Sequence, residues 1–268
     1  MEPEPMPEDM QANTPWEHHW GRFDGQSAPR DLARAEAIRS MVPDGVSLVL
    51  EVGCGDGLII NGIDAPDTMG VDLSAEGLRS VTGPCLQCSV EKLPFEDGRY
   101  ELVIASEVLE HLPEDIYRRS IAEIARVAGR YVLVSVPNRE NLKANMTKCP
   151  ACGGEYHRNL HQRSYRRGDL ERLFPGFQEV TCLELGETEA ARTRLEVSVR
   201  RGLKRGVPRP WNTVCPHCNA AHGEPGHGPD EPPARGARPG ASAPFWSLKS
   251  IAKVHKKPWL AALYARRD

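Results

Sequence analysis

The chain of 268 residues has no apolar run long enough to cross a bilayer, no internal repeat and little net charge, formally −3 at pH 7. The first absence excludes a membrane-spanning helix, which needs about 20 apolar residues. The last excludes the global basic field that marks a nucleic-acid binder. Residues 1–9 are rich in proline and acid with no apolar run behind them, so no ordinary secretory leader is expected and the location is expected to be cytoplasmic. Thiols stay reduced there, so the eight cysteines point to metal binding or buried thiols rather than to a disulfide framework. Basic residues gather at 200–209 and 249–267, runs that more often form solvated surface than a phosphate or membrane contact.

What is present is a core-forming pattern. Residues 1–14 read as a tail, followed by the apolar anchors Trp16, Trp20 and Phe23. Residues 31–42 place Leu32, Ala35, Ile38 and Val42 at helical spacing. Runs at 47–52, 68–73, 100–105 and 131–136 are short and apolar, the signature of strands buried on both faces. Between them, residues 115–127 carry the stripe Ile116, Ile121, Ile124 and Val127 of a packed helix. Strands alternating with helices imply βαβ units, hence an α/β fold with a parallel sheet covered on both faces. A short helix at 168–174 and a strand at 178–185 are expected next, then a Gly/Pro-rich loop at 220–244, and a last strand or helix within 257–266. The division expected is an N-terminal segment 1–29, a core 30–200, an insertion 201–256 packing against 140–165, and a final core strand 257–268.

The chemistry concentrates in Leu48-Val49-Leu50-Glu51-Val52-Gly53-Cys54-Gly55-Asp56-Gly57. An apolar strand runs into three alternating glycines and then into Leu58-Ile59-Ile60, which can begin a helix. Glycine allows a sharp turn and close approach of a ligand, and a helix N-terminus favours an anionic group. A second strand ends at Asp72, 21 residues after Glu51, where a carboxylate can accept hydrogen bonds from both hydroxyls of a ribose. A dinucleotide site would want a glycine where Leu58 stands, and no Gly-Lys-Ser/Thr ending marks a phosphate loop. The competing reading is a glycine-rich turn without a ligand.

The alternating form Glu51-x-Gly53-x-Gly55-x-Gly57 resembles motif I of the class I methyltransferases that use S-adenosylmethionine (SAM). The resemblance continues through Ser89-Val90-Glu91-Lys92-Leu93-Pro94-Phe95, Tyr100-Glu101-Leu102-Val103, Ser106-Glu107-Val108-Leu109-Glu110-His111-Leu112, residues 131–138 and His161-Gln162-Arg163-Ser164-Tyr165. It covers roughly residues 48–180 and is nearest the ubiquinone/menaquinone-type, small-molecule branch. It implies a Rossmann-like, doubly wound, mostly parallel seven-stranded sheet with an antiparallel last strand. It further implies SAM held by Glu51, Gly53, Cys54, Gly55, Gly57, Asp72, Leu73, Ser89, Val90 and Ser106. Ser89 stands where many relatives carry aspartate, so the adenine amine falls to Ser89 or to backbone at Val90. Cys54 serves as a small loop residue rather than a nucleophile. On the acceptor side the resemblance places His161, the first candidate for a base, with His111 and Glu110 next; histidine has a suitable pKa for that work. The acceptor expected is an oxygen or nitrogen of a small molecule, with no nucleic-acid partner. RNA or protein methylation is the alternative, kept open by the basic segment 200–209. Residues 106–109 lack the Asn/Asp-Pro-Pro-aromatic segment that holds a planar base amine. A SAM-binding or zinc-scaffold protein without catalysis is a third reading.

Cys149-Pro150-Ala151-Cys152 and Cys215-Pro216-His217-Cys218 are two Cys-x-x-Cys knuckles, separated by 62 residues. Such spacing lets two thiolates face one metal, and two pairs make a four-thiolate zinc site. If residues 178–185 form the sixth strand and 259–264 an antiparallel seventh, both knuckles leave the same edge of the sheet and can share one ion on the ligand-binding side. Four thiolates leave no open position, so that zinc is structural. His157 and His161 follow the first knuckle and leave a mixed site of two cysteines and two histidines open. Cys85 and Cys88 form a third pair, read as core thiols.

Overall fold

A computed structural model describes Glu17, Trp20 and residues 27–191, 213–222 and 254–267. The expectations for residues 1–14, Trp16, Phe23, the basic segment 200–209 and residues 223–244 lie outside the described residues.

Seven strands form one sheet: β1 (Leu48–Val52), β2 (Asp67–Asp72), β3 (Cys85–Gln87), β4 (Tyr100–Ser106), β5 (Ala128–Pro137), β8 (Phe177–Leu185) and β13 (Trp259–Arg266). The order across it is β3-β2-β1-β4-β5-β13-β8. Neighbours from β3 to β5 are parallel, and β13 is antiparallel to both β5 and β8. The alternation of side chains along each strand divides the core in two. Leu50, Val52, Val103, Ala105, Val132 and Val134 bury on one face with Ile121, Ile124 and Val127 of α3 (Glu114–Val127). Val49, Leu102, Ile104 and Leu133 bury on the other with Ala35 and Ile38 of α1 (Pro29–Arg39). Glu114 and Asp115 in the first turn of α3 and Arg126 in its last complement the helix dipole. Arg126 also donates to the carbonyls of Leu93 at 2.9 Å and Phe95 at 2.6 Å, pinning the β3–β4 connection.

Three local expectations are corrected. The glycine loop is not followed by an α-helix: residues 53–66 are all that join β1 to β2, and only a 3-10 turn at Ile60–Gly62 forms among them. Gly62 and Pro66 both oppose a longer helix. The helix expected at 168–174 shortens to α4 (Arg167–Leu170), ahead of Pro175 and of Gly176 with φ +82°. Cys85 lies exposed on the edge strand β3, so only Cys88 of that pair is a core thiol.

Beyond the carboxyl end of β5 the chain forms the ribbon β6 (Met146–Lys148) with β7 (Glu155–His157), then re-enters through α4 and β8. A second ribbon pairs β10 (Thr213–Val214) with β11 (Ala221–His222), and β9 (Glu189–Ala191) pairs with β12 (Val254–Lys256). Thr213 Oγ1 donates to the Arg158 carbonyl at 2.8 Å and ties the first two ribbons together.

Candidate functional site

The glycine loop and the end of β2 form one unit. Gly53, Gly55 and Gly57 have φ of +65°, +51° and +81°, a region where side chains are strained. A Cβ at Gly53 would lie 2.3 Å from Val108, and one at Gly55 would lie 2.3 Å from the Trp20 indole. Asp72 is fixed beside the loop: Oδ2 accepts the Gly55 N–H at 2.8 Å and Oδ1 the Ser74 N–H at 2.8 Å. Burial raises its pKa against those hydrogen bonds. A carboxylate has about four lone-pair sites, so each oxygen keeps one for a ligand hydroxyl. The Cys88 N–H donates to the Asp72 backbone carbonyl at 3.0 Å, which ties the residue ahead of Ser89 and Val90 to the end of β2. Leu73 is held through its carbonyl by Gln87 Nε2 at 2.9 Å. Cys54 is buried among apolar groups with its thiol pushed up by burial, as suits a small packing residue. Ser106 shares a hydrogen bond of 3.1 Å with Ser135 at the end of β4.

Glu17 and Trp20 join this unit from the N-terminal segment. The Glu17 carboxylate accepts from Ser74 Oγ at 2.9 Å and from the Ala75 and Glu76 N–H groups at 2.7 and 3.2 Å. The indole of Trp20 covers Gly55 and Gly77. In the sequence Trp20 reads only as an anchor, and nothing in its spacing signals contact with the loop.

Glu51 is 2 % exposed and its Oε2 accepts the Ile60 N–H at 2.9 Å, so it ties the end of the loop to β1. Burial pushes its pKa up to about 8, against an ordinary 4.5. The folded state therefore binds the extra proton between those values. Its stabilising contribution is complete below the unfolded pKa and is lost as pH rises from there through 8. We expect Glu51→Gln, which keeps an acceptor for Ile60, to remove a slope of up to about 1.4 kcal/mol per pH unit. Urea melts of both proteins at pH 5 and pH 8 read this directly.

The acceptor-side residues named from the sequence come together at the same edge. Glu110 and His111 lie in a 3-10 turn (Leu109–His111) after β4. The segment bearing His161 docks on that turn: the Gln162 N–H donates to the Glu110 carbonyl at 2.7 Å, and Arg163 Nη1 donates to the Leu109 and Leu112 carbonyls, each at 2.6 Å. The His111 and His161 rings meet edge to face at 4.7 Å. Glu110 is fully buried; burial, with Glu107 and Glu140 nearby, raises its pKa well above the usual carboxylate range. Glu140 is a neighbour that the sequence reading missed. Burial would raise its pKa, yet His157 and His161 hold it far below the usual range. No motif spacing announces Glu140, since it meets the histidines only through the fold. This also answers the mixed-site alternative, because His157 and His161 face Glu140 at 3.3 and 2.5 Å and not the cysteines.

The four knuckle cysteines converge. Their sulfurs lie within 4.8 Å of one another, with Cys149–Cys218 and Cys152–Cys215 each at 3.7 Å. A tetrahedral ion with Zn–S bonds of about 2.3 Å spaces its sulfurs by about 3.8 Å. The two knuckles repeat one design. Cys149 N–H donates to the Gly154 carbonyl and Gly153 N–H to the Cys149 carbonyl, both at 2.9 Å; Cys215 N–H donates to the Ala220 carbonyl at 3.0 Å and Asn219 N–H to the Cys215 carbonyl at 2.8 Å. Gly153 and Asn219 take the same left-handed turn, φ +77° and +56°, which asparagine tolerates. His222 Nε2 stands 3.3 Å from Cys149 Sγ, the position of a donor that neutralises part of a thiolate's charge.

Residues 50–131 match the family model of a methyltransferase domain. A ubiquinone biosynthesis O-methyltransferase of Albidiferax ferrireducens is 26% identical over 163 residues, covering 54% of this chain and 63% of that relative. The chain thus spans less than two thirds of the relative's length. Among solved structures, a chain in the complex of the Haloferax volcanii Trm112 methyltransferase activator with a methyltransferase has a TM-score of 0.52 at 15% identity, over 65% of this chain and 81% of that one. A structure from Bacillus halodurans, described as a methyltransferase, has a TM-score of 0.50 at 14% identity, over 88% and 98%. At such identities the two structures show a shared fold. The family match falls on the stretch from β1 into β5, which carries the glycine loop and Asp72, so this stretch of the chain has the sequence pattern and fold of a methyltransferase domain.

Proposed function

We propose that the protein transfers a methyl group from SAM to an oxygen or nitrogen of a small-molecule acceptor. The observation that carries this reading is Asp72, held by two backbone N–H groups beside three left-handed glycines. Asp72 accepts the ribose hydroxyls, Ser89 and Val90 flank the adenine, and the backbone of the glycine loop at Gly53, Cys54, Gly55 and Gly57 lines the remainder. Glu51 and Ser106 set the loop and the end of β4. When bound, SAM supplies a sulfonium-activated methyl group, so the chain's own task is chiefly alignment of the acceptor. Glu110, His111 and His161 are the acceptor-side groups, making its oxygen or nitrogen nucleophilic. The small-molecule class is supported by the likeness to a ubiquinone biosynthesis enzyme. The two Cys-x-x-Cys knuckles suit metal binding by reduced thiols and so fit a reducing, cytoplasmic setting.

A structural zinc belongs to the same proposal. Cys149, Cys152, Cys215 and Cys218 fit it by spacing and donor type. It would clamp two ribbons whose shared core is little more than Cys149, Tyr156 and Cys215, in an insertion on the ligand-binding side of the sheet.

The test is incubation with methyl-labelled SAM and, in parallel, small-molecule extracts, total RNA and protein. Label in the small-molecule fraction is the expected outcome. Label in RNA or protein would replace the acceptor class, and cofactor binding without transfer to any fraction would favour a scaffold.

A further inference from the structure

Two groups of side chains at the carboxyl edge share His161. Glu110, His111 and His161 present ligand-type atoms within 4.8 Å of one another, and so do Glu140, His157 and His161. The hydrogen bonds distinguish them. Nδ1 of His157 accepts the backbone N–H groups of Asn159 at 3.3 Å and His161 at 3.1 Å, so its own proton sits on Nε2. That nitrogen faces Glu140 Oε1 at 3.3 Å. An imidazole committed this way has no lone pair to offer a metal; it orients Glu140. Glu140 is itself occupied, accepting from Asn145 Nδ2 at 2.8 Å and facing His161 Nδ1 at 2.5 Å.

His161 is the reverse case. Its Nδ1 proton goes to Glu140, which leaves Nε2 as the free lone pair, the arrangement that fixes the tautomer of metal-ligating histidines. Glu110 completes the picture. It is 0% exposed and, among the described residues, neither carboxylate oxygen has a hydrogen-bond partner, the ion-pair contact to His111 Nε2 being long at 3.9 Å. A buried carboxylate is costly unless something positive supplies it. The neighbouring Glu107 is provided for by Ser135 Oγ, Trp259 Nε1 and Arg34 at 2.9, 2.9 and 3.3 Å, so the unfilled acceptor capacity is that of Glu110.

We infer that Glu110, His111 and His161 bind a divalent first-row transition cation, with Glu140 as the positioning residue that aims His161. Two imidazoles and one carboxylate suit Mn(II), Fe(II), Co(II) or Zn(II) and leave coordination positions open. Use of the site in catalysis rests on the acceptor-side reading above: a Lewis acid there makes the acceptor's proton more acidic, and that proton leaves to solvent. The site is separate from the four cysteines, which as soft donors take zinc.

Mn(II) is the probe that separates the two sites, because it competes poorly for thiolates already holding zinc. Full-length, zinc-replete protein is titrated with Mn(II) in the absence of SAM and acceptor, and free Mn(II) is read by electron paramagnetic resonance. The expected result is one Mn(II) per chain, weakened at least about tenfold by Glu110→Gln and by His161→Ala, and by about 10–100-fold in Glu140→Gln. Glu110→Gln is nearly isosteric, and its circular dichroism and SAM affinity report whether it is folded. Mn(II) should raise the melting temperature of the wild type and not of Glu110→Gln. Folded wild type that takes up neither Mn(II) nor Co(II) at this site, or uptake that is indifferent to Glu110→Gln and His161→Ala, overturns the inference. Because no SAM is present, that failure would leave the methyltransferase reading standing, and a failure to bind SAM would leave the cation result standing.

Discussion

Asp72→Ala is expected to lower SAM affinity by about 10²–10⁴-fold while the protein stays folded and zinc-loaded. The size follows from the hydrogen bonds at stake. A bond to a charged acceptor is worth about 1.5–3 kcal/mol, and two ribose hydroxyls make two of them. The substitution also releases the Gly55 and Ser74 N–H groups from their 2.8 Å contacts, so the loop loses its anchor to β2 as well. Asp72→Asn keeps one oxygen acceptor but not the charge, and should fall between the wild type and the alanine variant. An alanine variant that binds SAM as tightly as the wild type would remove Asp72 from the cofactor site.

The second large effect is loss of the proposed zinc. Cys215→Ser, or exhaustive chelation, should abolish the site and melt the ribbons at 146–157 and 213–222. Structural zinc is worth about 10–16 kcal/mol in small modules, and the apolar cluster of Cys149, Tyr156 and Cys215 is far too small to replace it. Hydrogen exchange should therefore show protection lost in those two stretches, with β1, β4 and β5 unaffected. SAM affinity should change little, since the glycine loop and Asp72 are anchored within the sheet. Turnover should fall more, because the first ribbon leads directly into His161: the Arg158 N–H is bonded to the Asn145 carbonyl at 3.0 Å and the Leu160 N–H to the His157 carbonyl at 2.8 Å. Full protection in the ribbons of a zinc-free protein would contradict the clamp.

Much of this architecture is legible in the chain, and the legible parts share a cause. β1, β4 and β5 are buried on both faces, so their apolar runs are continuous and unmistakable; β13 and β8 were expected as the antiparallel seventh strand and the sixth, and the register bears this out. The convergence of the cysteine pairs, 62 residues apart, follows from topology because both knuckles leave the same sheet edge. What the chain does not announce is long-range polar partnership. Glu140 between two histidines, His222 beside Cys149 and Glu17 at the start of α2 (Ala75–Leu78) are single residues with no periodicity. Their partners are chosen by the fold. The missing helix after the glycine loop is a different failure: Leu58-Ile59-Ile60 suits a helix, but the short span to β2 and the Glu51–Ile60 bond hold it to one turn.

The most direct test of the central claim is calorimetric titration of the intact, zinc-loaded wild type and Asp72→Ala, side by side, with SAM and with its demethylated product. Micromolar binding of both ligands at one site per chain in the wild type, lost in the variant, is the result expected. No heat of binding in folded wild type would contradict the assignment of the glycine loop and Asp72 as a SAM site.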